Sequence, residues 1–133
     1  MAPVVIDASA IVEYVFRTPR AAAVGATIED GQVSLHVPAL CDVEVAAVIR
    51  RALLSSRLSE DRAREAIVDY FDLPVTRHGH AALMTRVLQL RANFSAYDAT
   101  YVALAEALGA ELLTADGGLA TAARSHTRLS IRP

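Results

Sequence analysis

Lysine is missing from this 133-residue chain, and all 13 of its basic residues are arginine. That removes a Walker-type phosphate-binding lysine and any Schiff-base mechanism. Arginine still suits bidentate contact with phosphate, although GC-rich codon usage explains the all-arginine set as readily. Cysteine is nearly absent. The single Cys41 excludes an internal disulfide and fits a reducing compartment, of which the cytoplasm is the simplest. No apolar run approaches the ~18 residues that would span a bilayer. Met1-Ala2-Pro3 leads straight into an apolar strand, which leaves no room for a signal peptide. Charge of one sign is also scarce: the net value is −2, so whole-molecule attraction to nucleic acid or anionic lipid is not evident. There is no G-x-S-x-G elbow, no G-x-G-x-x-G and no P-loop.

What remains is globular, with 53% hydrophobic and 21% charged residues. The length predicts one domain over residues 1–133. Val4-Val5-Ile6-Asp7-Ala8-Ser9 opens it. Three apolar β-formers run into a carboxylate, as in a strand buried on both faces of a parallel sheet. Helices are expected over 10–16, from Thr18-Pro19 to 28, 39–54 and 60–71. Further helices are expected over 79–91, with Leu83, Val87, Leu88 and Leu90 as its apolar side, over 96–108 between Ser95 and Gly109, and over 119–124. Strands are expected at 33–37, 73–76, 111–114 and 129–131. Strands alternating with helical segments predict a three-layer α/β/α domain around a central, mostly parallel sheet.

Four acids stand out, each with an ordinary structural alternative. Asp7 suits a helix cap as well as a site at a strand's carboxyl end. Glu44 has Leu40, Cys41, Ala47 and Val48 as its helical neighbours, so it faces inward. There it needs a cation, or an ion pair with Arg50 or Arg51. Asp98 fits the capping-box spacing from Ser95, yet Phe94, Tyr101 and Val102 turn the same face inward. Asp116 before Gly117-Gly118 suits a turn. Taken together, Asp7 and Asp116 follow strands while Glu44 and Asp98 begin helices. In a parallel sheet all four fall on one edge. All-oxygen, acid-rich ligation suits a hard divalent cation, and crowded carboxylates without one must repel. Arg77-His78-Gly79-His80 offers two histidines but no further ligand, and reads as turn or surface.

These blocks resemble the PIN-domain ribonucleases of the VapC toxin type. The resemblance is carried by residues 4–10, by Pro38-Ala39-Leu40-Cys41-Asp42-Val43-Glu44-Val45, by 95–105, and by Leu112-Leu113-Thr114-Ala115-Asp116. It implies that Asp7, Glu44, Asp98 and Asp116 are the acidic metal-binding and catalytic quartet. Ser9 and Thr114 then match the small hydroxyl positions that orient the acids and the attacking water. It further implies RNA phosphodiester hydrolysis with Mg²⁺ or Mn²⁺, a VapB-type antitoxin and a homodimer. Arg17, Arg20, Arg86 and Arg91 are candidates for holding the RNA backbone. The chain departs from the family in having Gly117-Gly118 where a basic residue often follows the last acid. A haloacid-type aspartyl phosphatase would need a second Asp at Ser9 and a lysine. A PIN-like module that binds RNA or protein without cutting is the rival reading.

Overall fold

The computed structural model describes residues 1–132. Its strands are β1 (Ala2–Ile6), β2 (Val33–Pro38), β3 (Val75–His78), β4 (Glu111–Leu113) and β5 (Ile131–Arg132). The helices are α1 (Ala8–Val15), α2 (Ala21–Ile28), α3 (Leu40–Leu54), α4 (Glu60–Asp72), α5 (Met84–Gln89), α6 (Ala96–Leu108) and α7 (Gly117–His126). All strand pairings are parallel, in the order β3-β2-β1-β4-β5. The expected parallel three-layer architecture is therefore the one observed. None of the described helices is long and apolar enough to cross a membrane.

The order explains where a site can form. From β1 the chain steps outward to β2 and β3, then crosses back to β4 and β5. Right-handed crossovers place α1–α4 on one face and α5–α7 on the other. Strand order reverses beside β1, and such switch points open a crevice beyond the carboxyl strand ends. β1 supplies Val4, Val5 and Ile6, all fully buried because both faces are covered. α6 packs across β1, β2 and β4, and every residue from Ala99 to Ala105 is buried. A helix apolar on nearly all sides belongs in such a position.

Several boundaries differ from expectation for local reasons. α1 ends with Arg17 in the left-handed region at φ 56°. Thr18 Oγ1 accepts the Arg20 N–H at 3.2 Å, so α2 starts only at Ala21. β3 lies two residues later than expected, because Leu73 leaves α4 in an extended conformation and Pro74 precedes the pairing of Val75 with Leu35. The helix expected over 79–91 is broken: a 3₁₀ turn at Ala81–Leu83 precedes α5. Leu88, assigned to its apolar side, is exposed, whereas Val87 and Leu90 are buried. α7 begins two residues early because Asp116 is a true cap, its Oδ1 accepting the N–H groups of Gly118 and Leu119 at 2.8 and 3.2 Å. α6 keeps its expected bounds, with Ser95 as cap and Gly109 at φ 60° after its last turn.

Candidate active site

Asp7 follows β1 directly, and its side chain caps α1 while lining the cleft described below. Oδ1 accepts the Ala10 N–H at 3.0 Å and the Ser9 hydroxyl at 2.7 Å. Oδ2 accepts the Thr114 hydroxyl at 2.6 Å. The same two hydroxyl oxygens accept backbone N–H groups, Ser9 from Ala115 across the switch point and Thr114 from Asp116 locally after β4, each at 3.0 Å. The end of β1 is thereby tied to the end of β4. Burial holds the Asp7 carboxyl above its ordinary range; the hydroxyls and the Ala10 N–H pull it back in part, and the charge of Asp116 adds to the rise.

Glu44 stands in the second turn of α3. Neither Arg50 nor Arg51 pairs with it. The Tyr101 hydroxyl donates to its Oε1 at 2.6 Å instead, leaving Oε2 open. Desolvation raises the Glu44 pKa, the Tyr101 bond opposes this, and Asp7 and Asp98 repel it further. Asp98 forms half of the capping box: its N–H donates to Ser95 Oγ at 3.1 Å. No return bond from its carboxylate to the cap is present among the described residues, so the acid is available to the cleft. Desolvation, then Asp116 and Asp7, raise its pKa.

Asp7, Glu44, Asp98 and Asp116 line one cleft of about 350 Å³ together with Ser9, Ala47, Val48, Arg51, Tyr97 and Tyr101. The sequence expectation that the four acids share a rim holds. Among the described residues none of the four forms an ion pair. Among the described residues no three acid, His or Cys side chains are gathered closely enough to enclose an ion as they stand. The cleft is an open ring of like charges. In its donor chemistry it fits a hard cation, having four carboxylates and neither thiolate nor imidazole. A larger hollow of about 950 Å³ lies between α1–α2 and the end of α4 and carries none of these acids.

A pH dependence follows. The folded pKa of Asp7 is raised, so its favourable contribution is complete below the ordinary carboxylate range, near ~4. That contribution is lost as pH rises through the folded pKa. In chelator, Asp7→Asn keeps the oxygen that caps α1 and removes the buried charge. Its Tm should exceed that of the wild type at pH 7 by a few degrees, on the order expected for ~1 kcal/mol. The gap should close as pH falls toward ~4. Thermal melts across that range check this, and a gap independent of pH would refute it.

Among the arginines singled out in the sequence, Arg17 reaches Glu65 and Asp69 at 3.8 and 3.6 Å. Arg86 holds Glu106 through two bonds of 2.9 and 3.0 Å. Arg91 donates to the Leu88 carbonyl at 2.9 Å. Arg20 comes nearer, donating to the Ala115 carbonyl at 3.2 Å. Arg51 lines the cleft itself, a position that its spacing of two turns from Glu44 encodes. Tyr101 and Tyr97 were visible in sequence only as neighbours of Asp98. His36 went unnoticed; its Nδ1 lies 2.9 Å from Nε2 of His78, joining β2 to β3 away from the acids.

Residues 4–125 match the PIN domain family. Over 117 residues the chain is 41% identical to ribonuclease VapC12 of Mycobacterium tuberculosis, covering 88% of this chain and 89% of that protein. Among solved structures, M. tuberculosis VapC20, described as a sarcin-ricin loop cleaving toxin, has a TM-score of 0.69 at 16% identity, over 98% of this chain and 99% of that one. Rickettsia felis VapBC2, solved bound to a DNA fragment from its promoter, gives a TM-score of 0.68 at 11% identity, over 98% and 97% of the two chains. The structural likenesses speak for the fold, and the sequence match for descent: this chain belongs to the PIN-domain family, alongside the VapC ribonucleases.

Proposed function

We propose that the protein is a divalent-metal ribonuclease, the toxin of a VapBC-type pair, built as a single PIN domain. The observation that carries this is the cleft at the switch point, where four carboxylates converge without a cationic partner. Asp7 and Asp98 would make the principal contacts to Mg²⁺ or Mn²⁺, with Glu44 and Asp116 completing the set. A bound ion lowers the pKa of a water and offsets charge on the phosphoryl oxygens.

The chain's own groups do the rest. Ser9 and Thr114 fix both oxygens of Asp7, which aims the buried carboxyl and favours its charged form. Tyr101 fixes one oxygen of Glu44 and leaves Oε2 to accept a hydrogen bond from the attacking water. Asp116 is held by the start of α7 with one oxygen engaged. A VapB-type antitoxin and a second copy of the chain are the partners this reading implies. The exposed Leu54 at the end of α3, with Val68 and Phe71 on α4, offers apolar surface for such contacts. The lone buried Cys41 suits the cytoplasm.

Cleavage of a mixed RNA pool by purified protein should require Mg²⁺ or Mn²⁺ and stop in EDTA. Saturating Mn²⁺ should stabilise the fold, by ~2.7 kcal/mol at a hundredfold excess over Kd. Cutting that persists in EDTA would sink the reading. Absence of both cutting and Mn²⁺ stabilisation would leave a binding module.

A further inference from the structure

The four acids stand at or near the starts of four helices, and three of those helices carry a side-chain cap. Asp7 caps α1, Ser95 caps α6 and Asp116 caps α7. α3, which carries Glu44, begins after Ala39, and among the described residues no side chain caps it. An uncapped first turn has N–H groups without partners and frays more readily. The first turn of α3 is held instead through Asp42. Its Oδ1 accepts the Tyr70 hydroxyl at 2.5 Å and the Arg77 Nε–H at 2.9 Å. Tyr70 comes from α4 and is fully buried, and the Arg77 guanidinium lies 5.3 Å from the centre of its ring. The Ala39 N–H adds a bond of 2.8 Å to the His78 carbonyl at the end of β3. Asp42 lies outside the lining of the acidic cleft. Two positions from Glu44, it points about 200° away around the helix. On the cleft side, Tyr101 holds Glu44 Oε1 at 2.6 Å. Cys41 is fully buried between the two tyrosines, whose hydroxyls both reach its thiol.

We propose that Tyr70 and Asp42, supported by Arg77, are positioning residues for Glu44. They set the rotation of the first turn of α3, and so the direction in which Glu44 Oε2 faces. This rests on the nuclease reading above and adds a junction of α3, α4 and β3 that touches neither metal nor RNA. The physical grounds are geometric. A helix held on one side can still roll about that contact, whereas bonds on opposite sides fix it about its own axis. Both are hydroxyl-to-carboxylate bonds, which are short and directional. One comes from α4 and the other from α6, so α3 is set against two separate parts of the core. Removing the Tyr70 hydroxyl leaves Asp42 to an arginine on a long stem at the edge of the sheet. The roll of α3 is then fixed from the cleft side alone.

The test compares the full-length wild type with Tyr70→Phe by calorimetric titration with Mn²⁺ and by metal-dependent cleavage of a mixed RNA pool. Tyr70→Phe keeps the buried ring and leaves Asp42 paired with Arg77, so its Tm should fall by only a few degrees. Its Mn²⁺ affinity should fall roughly tenfold, as when a group that orients a metal ligand is lost. Amide exchange should quicken in the first turn of α3 and stay unchanged in α6. Arg77→Leu, which removes the second donor from a part-exposed side chain, should act in the same direction by about threefold. A double-mutant cycle separates positioning from mere packing. The effect of Tyr70→Phe should largely vanish in a Glu44→Gln background and persist in full in Asp116→Asn. Wild-type Mn²⁺ affinity in Tyr70→Phe overturns the proposal, whatever happens to its Tm. So does an effect that is undiminished in Glu44→Gln. In either case a wild type that binds Mn²⁺ and cuts RNA only with metal keeps the nuclease reading. A wild type that does neither removes both.

Discussion

Asp98→Asn should reduce metal-dependent RNA cleavage by roughly a thousandfold or more, corresponding to several kcal/mol of lost transition-state stabilisation. The fold should be spared, because the structural role of this residue belongs to its backbone. Its N–H donates to Ser95 Oγ, and Asn retains that bond. The carboxylate makes no hydrogen bond to the protein among the described residues, so its replacement leaves nothing newly unpaired. What disappears is one of the charges that burial, Asp116 and Asp7 already make costly to keep. The variant should melt within a few degrees of the wild type without metal and lose most of the Mn²⁺ stabilisation. Equal cutting by variant and wild type would point to a contaminating nuclease and remove Asp98 from the site.

Thr114→Val should weaken Mn²⁺ binding by about 10–100-fold, the usual effect of removing a group that orients a metal ligand. The substitution keeps the shape and removes one hydroxyl. That hydroxyl donates to Asp7 Oδ2 at 2.6 Å and accepts the Asp116 N–H at 3.0 Å, so two of the four acids lose a fixed position. Stability without metal should fall by ~1–3 kcal/mol, because the Asp7 oxygen is left buried without a donor. The Asp7 pKa should climb further once its strongest opposing hydrogen bond is gone. The acid limb of the rate profile should then move to higher pH. Thr114→Ser should restore all three properties. Calorimetric titration with Mn²⁺ would decide, and a valine variant with wild-type affinity would show that Asp7 needs no such support.

Much of this was legible from local chemistry. Val4-Val5-Ile6 marked a strand covered on both faces, and Ser95 and Gly109 marked both ends of α6, because each signal is satisfied within a few residues. The four acids were found by asking why carboxylates stood at strand ends or on inward-facing helix positions. Their partners were less accessible, since they are long-range. Glu44 required a counter-group, and sequence offered the helical neighbours Arg50 and Arg51. The fold supplies Tyr101, 57 residues away. Likewise Asp116 before two glycines suggested a turn until its carboxylate was seen to cap α7. β3 shifted because Pro74 bears on where a strand can begin, while its register depends on pairing with β2. Arg51 carried only its two-turn spacing from Glu44, and Tyr97 only its place beside Asp98. Only the convergence of α3 and α6 on one cleft gives them a common setting.

The bond from Thr114 to Asp7 spans 107 positions of the chain. β4 likewise pairs with β1, Val5 standing opposite Leu112. Contacts so distant in sequence form late, after the loop-closure entropy of the intervening chain has been overcome. On the ribosome, synthesis runs at ~5–20 residues per second from the N-terminus. A nascent chain therefore presents Asp7 and Glu44 long before it has Asp98, and Asp98 before Thr114 and Asp116. No truncated product ending before Thr114 can complete the cleft. For an enzyme that attacks RNA, this topology postpones its activity until Thr114 and Asp116 have been made and have paired with the end of β1.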